Sequence, residues 1–164
     1  MAIEIRKMQP SDSEQVMRLL AHWNLAPVAP SRDLPDPERT ELIVANTHVA
    51  ADGDRIVGVC SFIQHSPTLA EGASLAVDPA YHRLGIAERL ATAIRREMYS
   101  RGVRTVRLES DRPESISWLV RHRGYKVVGT VPKRHAFGAP EIDHWTALEL
   151  DLGSLPELRD LHSE

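Results

Sequence analysis

The residues from Ser74 to Glu88, Ser74-Leu75-Ala76-Val77-Asp78-Pro79-Ala80-Tyr81-His82-Arg83-Leu84-Gly85-Ile86-Ala87-Glu88, read as a strand end, a tight turn and a helix start. The first turn of a helix presents backbone N–H groups that have no carbonyl of their own helix to reach, and the helix dipole adds partial positive charge there. Such a turn can hold a phosphate. Gly85 at this place costs about 1 kcal/mol against alanine in helix propensity, but the missing side chain lets a diphosphate approach the backbone closely. Ala87 keeps the same surface low. An ordinary helix N-terminus with an incidental glycine has the same pattern, so these residues alone leave both readings open.

A strand and a helix must flank that turn, and the periodicities supply them. Ala70 to Val77 reads as a strand closed by Asp78-Pro79. From Arg83 to Arg101 the apolar residues Leu84, Ala87, Ala91, Ile94 and Met98 recur at steps of three and four, which predicts a helix that Gly102 ends. Val103 to Leu108 then alternates as a strand, so the order strand, helix, strand predicts a parallel crossover. Upstream, Ile3 to Arg6 alternates apolar and polar residues. Pro10 to Glu14 offers capping side chains before the apolar face of Val16, Leu19, Leu20 and Trp23. Residues 26 to 37 hold four prolines, at positions 27, 30, 35 and 37, and read as an irregular loop of the length that is often functional. Glu38 to Asn46 suggests a short helix. Asp52-Gly53-Asp54 is a hairpin turn between strands at Thr47 to Ala51 and Arg55 to Ile63. Ile116, Leu119 and Val120 mark another helix ending near Gly124, before strands at Tyr125 to Val131 and His144 to Leu152. The fold class is α/β with a mixed sheet.

Composition sets the class of partner. A chain of 164 residues suits one domain, expected over 1–152 with 153–164 as a C-terminal tail. The formal net charge of −3 provides no global basic field for nucleic acid. A single cysteine, Cys60, excludes an intramolecular disulfide and a four-thiolate metal site, and its apolar run Ile56 to Cys60 reads as a buried strand. Neither a signal peptide nor the roughly 20 apolar residues of a membrane span is visible. The expectation is a cytoplasmic protein without membrane, metal or nucleic acid.

His82-Arg83-Leu84-Gly85-Ile86-Ala87 resembles the acyl-CoA diphosphate loop of the GNAT superfamily of N-acetyltransferases: Gln or Arg, two variable residues, Gly, one variable residue, then Gly or Ala. Leu75 to Tyr81 is similar to the family's strand and turn before the loop. Ile3-Glu4-Ile5-Arg6 with Asp12, and Trp118 to Tyr125, are similar to its two ends. The order and spacing agree over nearly the whole chain.

The resemblance implies a GNAT-like, mostly antiparallel sheet of about seven strands with helices on both faces. It also implies a splayed parallel strand pair, one strand carrying Leu75 to Val77 and the other beginning near Arg104, that holds acetyl-CoA. Main-chain groups of Leu75, Ala76 and Val77 would bind the pantetheine arm, with the Leu75 N–H polarising the thioester carbonyl and stabilising the tetrahedral oxyanion. His82, Arg83, Leu84, Gly85, Ile86, Ala87 and Glu88 would form the diphosphate site. An alkylamine with a pKa of about 10.4 is mostly protonated at neutral pH and must lose a proton before it attacks. Glu71, four residues before Leu75, is the base the resemblance implies, with His65 as a weaker alternative. Where family members often carry a tyrosine that protonates the leaving thiolate, this chain has Val120; Ser117, a water or unassisted departure would serve instead. His82 in place of Gln or Arg is a second departure.

The loops Ala26 to Pro37 and Pro132 to Asp143 would shape the acceptor side, where Asp33, Asp36, Glu38, Glu141 and Asp143 could favour a cationic amine and Trp23 and Trp145 could wall the site or pack in the core. A small-molecule amine is the preferred acceptor, with a protein or peptide amine as the alternative. A non-catalytic acyl-CoA sensor is the rival from another class. A dinucleotide or P-loop fold is not supported, because Gly-x-Gly-x-x-Gly and Gly-Lys-Ser/Thr are both lacking. The assembly expected is a monomer or a homodimer.

Overall fold

The computed structural model describes residues 2–25, 42–133 and 137–159. Its strands are β1 (Ile3–Lys7), β2 (Thr47–Asp52), β3 (Arg55–Gln64), β4 (Leu69–Val77), β5 (Thr105–Ser110), β6 (Lys126–Pro132) and β7 (His144–Asp151). Its α-helices are α1 (Ser13–His22), α2 (Ile86–Ser100), α3 (Pro113–His122) and the single turn α4 (Pro156–Arg159). The strands form one seven-stranded sheet in the order β1-β2-β3-β4-β5-β7-β6. The pairs β1–β2, β2–β3, β5–β7 and β6–β7 are antiparallel, and β4 and β5 run parallel with Leu69, Ala70 and Glu71 opposite Thr105, Val106 and Arg107. This is the mixed, mostly antiparallel sheet expected of the sequence, and the strand–helix–strand crossover falls where the periodicity put it.

The chain divides into two compact units, residues 1–63 with 73–95 and residues 64–72 with 96–164. In the first, Val16, Leu19 and Leu20 of α1 share a core with Val49, Ala51, Ile56, Val59 and Ala76. The entry to α1 is fixed by Asp12, whose two carboxylate oxygens accept from Arg6 Nη1 at 2.7 Å and Nη2 at 3.1 Å, while Oδ2 also accepts from the Gln9 N–H at 2.8 Å. Asp12 is buried, and the Arg6 guanidinium, ahead of every other influence, holds its carboxyl below the usual carboxylate range. The pairing explains why an arginine in the first strand and an acid before the first helix occur together. Gly58 lets α2 lie close on β3: a Cβ there would meet Leu90 Cδ1 at 2.9 Å, Ile86 Cγ2 at 3.1 Å and Ala50 Cβ at 3.2 Å. Cys60 is buried in β3, as its apolar run predicts.

In the second unit β5 and β7 pair from Thr105↔Asp151 to Ser110↔Thr146, and their apolar residues Val106, Leu148 and Leu150 are buried. β6 is the edge strand, with Val127 and Val128 exposed. Within the described part of the segment expected as a tail, Pro156–Arg159 forms one helical turn with Leu158 buried. The expected short helix at 38–46 falls largely outside the described residues. Its described end is a 3₁₀ turn, Val44–Asn46. Among the described residues no helix is long and apolar enough to cross a membrane.

Candidate active site

In the first unit the turn after β4 is built by short polar contacts. The Asp78 N–H donates to the Val57 carbonyl at 2.8 Å, its Oδ1 accepts from the Ala80 N–H at 2.9 Å, and its Oδ2 accepts from Arg55 Nη2 at 2.9 Å. Pro79–Tyr81 forms one 3₁₀ turn, pinned by the Tyr81 hydroxyl donating to Asp52 Oδ2 at 2.7 Å. That hydrogen bond holds the proton on the phenol and raises its pKa.

Beyond the turn the chain departs from the helix expected from Arg83 onwards. Arg83 has φ of 66° and Gly85 φ of 74°, and α2 begins only at Ile86. The periodicity extended the helix too far because Leu84 lies in phase with its apolar face, yet Leu84 is exposed outside it. Gly85 therefore adopts a left-handed conformation ahead of the first turn, where an L side chain is strained. A Cβ built on it meets nothing within 4 Å, so the space above the backbone is open. The Gly85 carbonyl accepts from the Arg89 N–H at 3.1 Å, which makes Gly85 the residue that opens α2. By helix geometry the N–H groups of Ile86 and Ala87 have no carbonyl of their own helix to reach.

β4 holds a second left-handed residue, Ser74, with φ of 56° immediately before Leu75. A residue of that conformation inside a strand breaks the ladder locally and re-aims the N–H that follows. The Val77 carbonyl accepts from the Trp23 indole N–H at 3.1 Å, so one of the two main-chain groups expected at Val77 is already engaged. Trp23 also stacks on His82, with ring centroids 5.7 Å apart and planes 18° from parallel. Trp23 is partly buried against the core of the first unit, the packing role expected as one of its two alternatives, and it ties α1's end to β4 and to the loop.

In the second unit Glu71, on β4, faces His65: Nε2 lies 3.1 Å from Oε1, and both side chains are part-exposed. The two base candidates thus stand as one hydrogen-bonded pair, with imidazole Nε2–H donating to the carboxylate. A cavity of about 540 Å³ is lined by Ser117 and Val120 of α3 together with Ile116, Arg121, Ile142 and His144. Val120, which stands where the resemblance leads one to expect a tyrosine, lines this cavity. Beside the cavity Asp111 and Lys133 form a buried ion pair at 2.7 Å. Lys133 Nζ also donates to the carbonyls of Ala139 at 2.7 Å and Phe137 at 3.2 Å, and it lies 4.6 Å from the centroid of the buried Trp145 ring. Asp111 Oδ2 accepts from the Ala139 N–H at 2.6 Å. Gly138, at φ of 74°, passes so close that a Cβ would collide with the Asp111 carboxylate. This clasp fixes the described part of the β6–β7 loop, and the sequence reading missed it. Asp143, expected to attract a cationic amine, pairs with His144 Nδ1 at 3.1 Å, which lowers its pKa. Asp33, Asp36 and Glu38 lie outside the described residues.

Residues 10–131 match the family model described as the acetyltransferase (GNAT) family. The chain belongs to that family. Solved structures similar to this GNAT chain include Ard1 from Thermoplasma volcanium, with TM-score 0.69 and 20% identity over 92% of this chain and 98% of that one. The ribosomal-protein-S18-alanine N-acetyltransferase from Escherichia coli gives 0.68 and 16% over 95% and 97%. Rv2747 from Mycobacterium tuberculosis, solved in complex with CoA and NLQ, gives 0.64 and 15% over 90% and 98%. No curated protein matches. At these identities the likeness is one of fold, and what the loop after β4 can do must be argued from its own geometry: left-handed Arg83 and Gly85, the latter open above, ahead of a helix start.

Proposed function

We propose that this chain is an acyl-CoA-dependent N-acyltransferase that moves an acetyl group from acetyl-CoA to the primary amine of a small molecule. The observation that carries the reading is Gly85, left-handed in backbone, open above, and placed where the first-turn N–H groups of α2 begin. An anion approaching that open backbone satisfies those donors. The residues present fit the diphosphate of acetyl-CoA: Arg83, Leu84, Gly85, Ile86, Ala87 and Glu88 offer the backbone donors. The exposed Arg83 side chain and the His82 ring supply the flank.

Acetyl-CoA supplies an acyl group activated as a thioester. Leu75, re-aimed by Ser74, donates its N–H to the thioester carbonyl oxygen, and Ala76 and Val77 provide main-chain groups for the pantetheine arm. Glu71, oriented by His65, takes the proton that the acceptor ammonium must lose. The amine nitrogen then forms the new C–N bond as the C–S bond breaks, and the thiolate leaves without a tyrosine. At a thiol pKa of about 8.5 that departure is tolerable.

Val120 favours one second reading, an acyl-CoA sensor without turnover. Calorimetric titration of acetyl-CoA into the wild type and a Gly85→Glu variant tests the first step, and thiol release over an amine panel tests the second. Binding lost in the variant together with thiol release supports the enzyme. Binding without release for any amine supports the sensor, and a folded wild type that binds no acetyl-CoA refutes both.

A further inference from the structure

The cavity in the second unit has a size in the range of about 300–1,000 Å³ typical of small-molecule sites, and its charge is unlike what the exposed acids of the sequence suggest. Asp111, the carboxylate among its lining residues, is spent: its side chain is 4% exposed, and Lys133 and the Ala139 N–H occupy it. The remaining lining offers Arg121, whose side chain is exposed and has no ion-pair or hydrogen-bond partner among the described residues. Around it stand the hydroxyl of Ser117 and the apolar groups of Ile116, Val120 and Ile142. His144 is held through Nδ1 by Asp143, so the carboxylate of Asp143 is directed to the imidazole.

Resting on the acyltransferase reading, we infer that the acceptor carries a carboxylate: it is an α-amino acid with an apolar side chain, its carboxylate paired with Arg121 and its side chain against Ile116, Val120 and Ile142. A polyamine finds no free carboxylate on this lining. An amine without a carboxylate leaves Arg121 unmatched. A guanidinium and a carboxylate match in a planar, two-point geometry that a neutral amide does not reproduce.

The test is thiol release from acetyl-CoA with leucine, leucinamide and 1,4-diaminobutane, on the wild type and on Arg121→Gln. The amine of leucinamide deprotonates more readily than that of leucine, so intrinsic reactivity favours the amide and a preference for leucine must come from binding. The expected kcat/KM for leucine exceeds that for leucinamide by about tenfold, the scale of one charge-assisted pair. Arg121→Gln is expected to remove that preference by raising KM for leucine, with kcat and the leucinamide values little changed. Equal or better use of leucinamide or diaminobutane overturns the inference, as does a variant that slows all three acceptors alike. Failure to acetylate any of them by protein that binds acetyl-CoA in calorimetry also overturns it. If acetyl-CoA itself is not bound, the acyltransferase reading falls first and the inference falls with it.

Discussion

Replacing Gly85 by alanine separates the fold from the function, because the structure predicts different costs for each. The residue sits at φ of 74°, where an L side chain costs about 1–2 kcal/mol. The added Cβ meets nothing within 4 Å, so no steric cost adds to this. For a chain of this size each kcal/mol lowers Tm by about 2–4 °C, which gives a fall of about 2–8 °C in a protein that still folds. The methyl group occupies the open space above the first turn of α2. If it displaces one charge-assisted hydrogen bond between a backbone N–H and the diphosphate, worth about 1.5–3 kcal/mol, the Kd for acetyl-CoA rises by about ten- to a hundredfold. Gly53 is the matched control: it has φ of 59°, lies in the β2–β3 turn, and also has nothing within 4 Å of a built Cβ. Gly53→Ala should therefore lower Tm by a similar amount and leave the affinity unchanged. Thermal melts with calorimetric titration on the three proteins decide the matter. A Gly85→Ala protein that binds acetyl-CoA within threefold of the Gly53→Ala control refutes the assignment of the loop.

Four further outcomes are expected. Arg83→Gly relieves a left-handed side chain and should raise stability by up to about 1 kcal/mol in urea unfolding, while weakening acetyl-CoA binding and its dependence on salt. Glu71→Gln should lower kcat by about a hundredfold or more at neutral pH and His65→Ala by less, since His65 acts through the carboxylate; equal losses would assign the base to the imidazole. Asp12→Asn should cost about 1.5–3 kcal/mol at pH 7. Because Arg6 depresses the folded pKa of Asp12, that contribution is present above the unfolded value of about 3.9 and is lost as pH falls through the folded one, so wild type and variant should converge in urea melts at acid pH. Lys133→Met leaves Asp111 buried without its cation and should destabilise by about 3–5 kcal/mol, with Asp111→Asn in the same chain restoring part of the loss.

What could be read from the sequence and what could not divides along the range of the interactions. The loop we propose for the diphosphate was legible because its chemistry is local: backbone donors, a glycine and a helix start within six residues, set against a strand whose alternation is visible. The sheet was legible for the same reason, since Asp52-Gly53-Asp54 and the crossover from β4 through α2 to β5 are properties of contiguous segments. The start of α2 was misplaced because apolar phase continues through Leu84 while the backbone does not. Phase reports which face a residue would take in a helix, and the positive φ of Arg83 and Gly85 is what ends the helix there. The Asp111–Lys133 clasp was missed because its partners, far apart in sequence, look singly like solvated charges. The signal available was Gly138, a glycine in a loop that must pass over a carboxylate. Burial of that pair reverses the electrostatic reading of the cavity. The acids singled out in the sequence suggest a cationic acceptor, but of those the structure describes Asp143 is turned to His144 and Glu141 is exposed outside the lining, while the one lining carboxylate, Asp111, is neutralised within the fold. Arg121 is left as the charge an acceptor meets, so the sign of a site follows from which charges remain unpaired after folding.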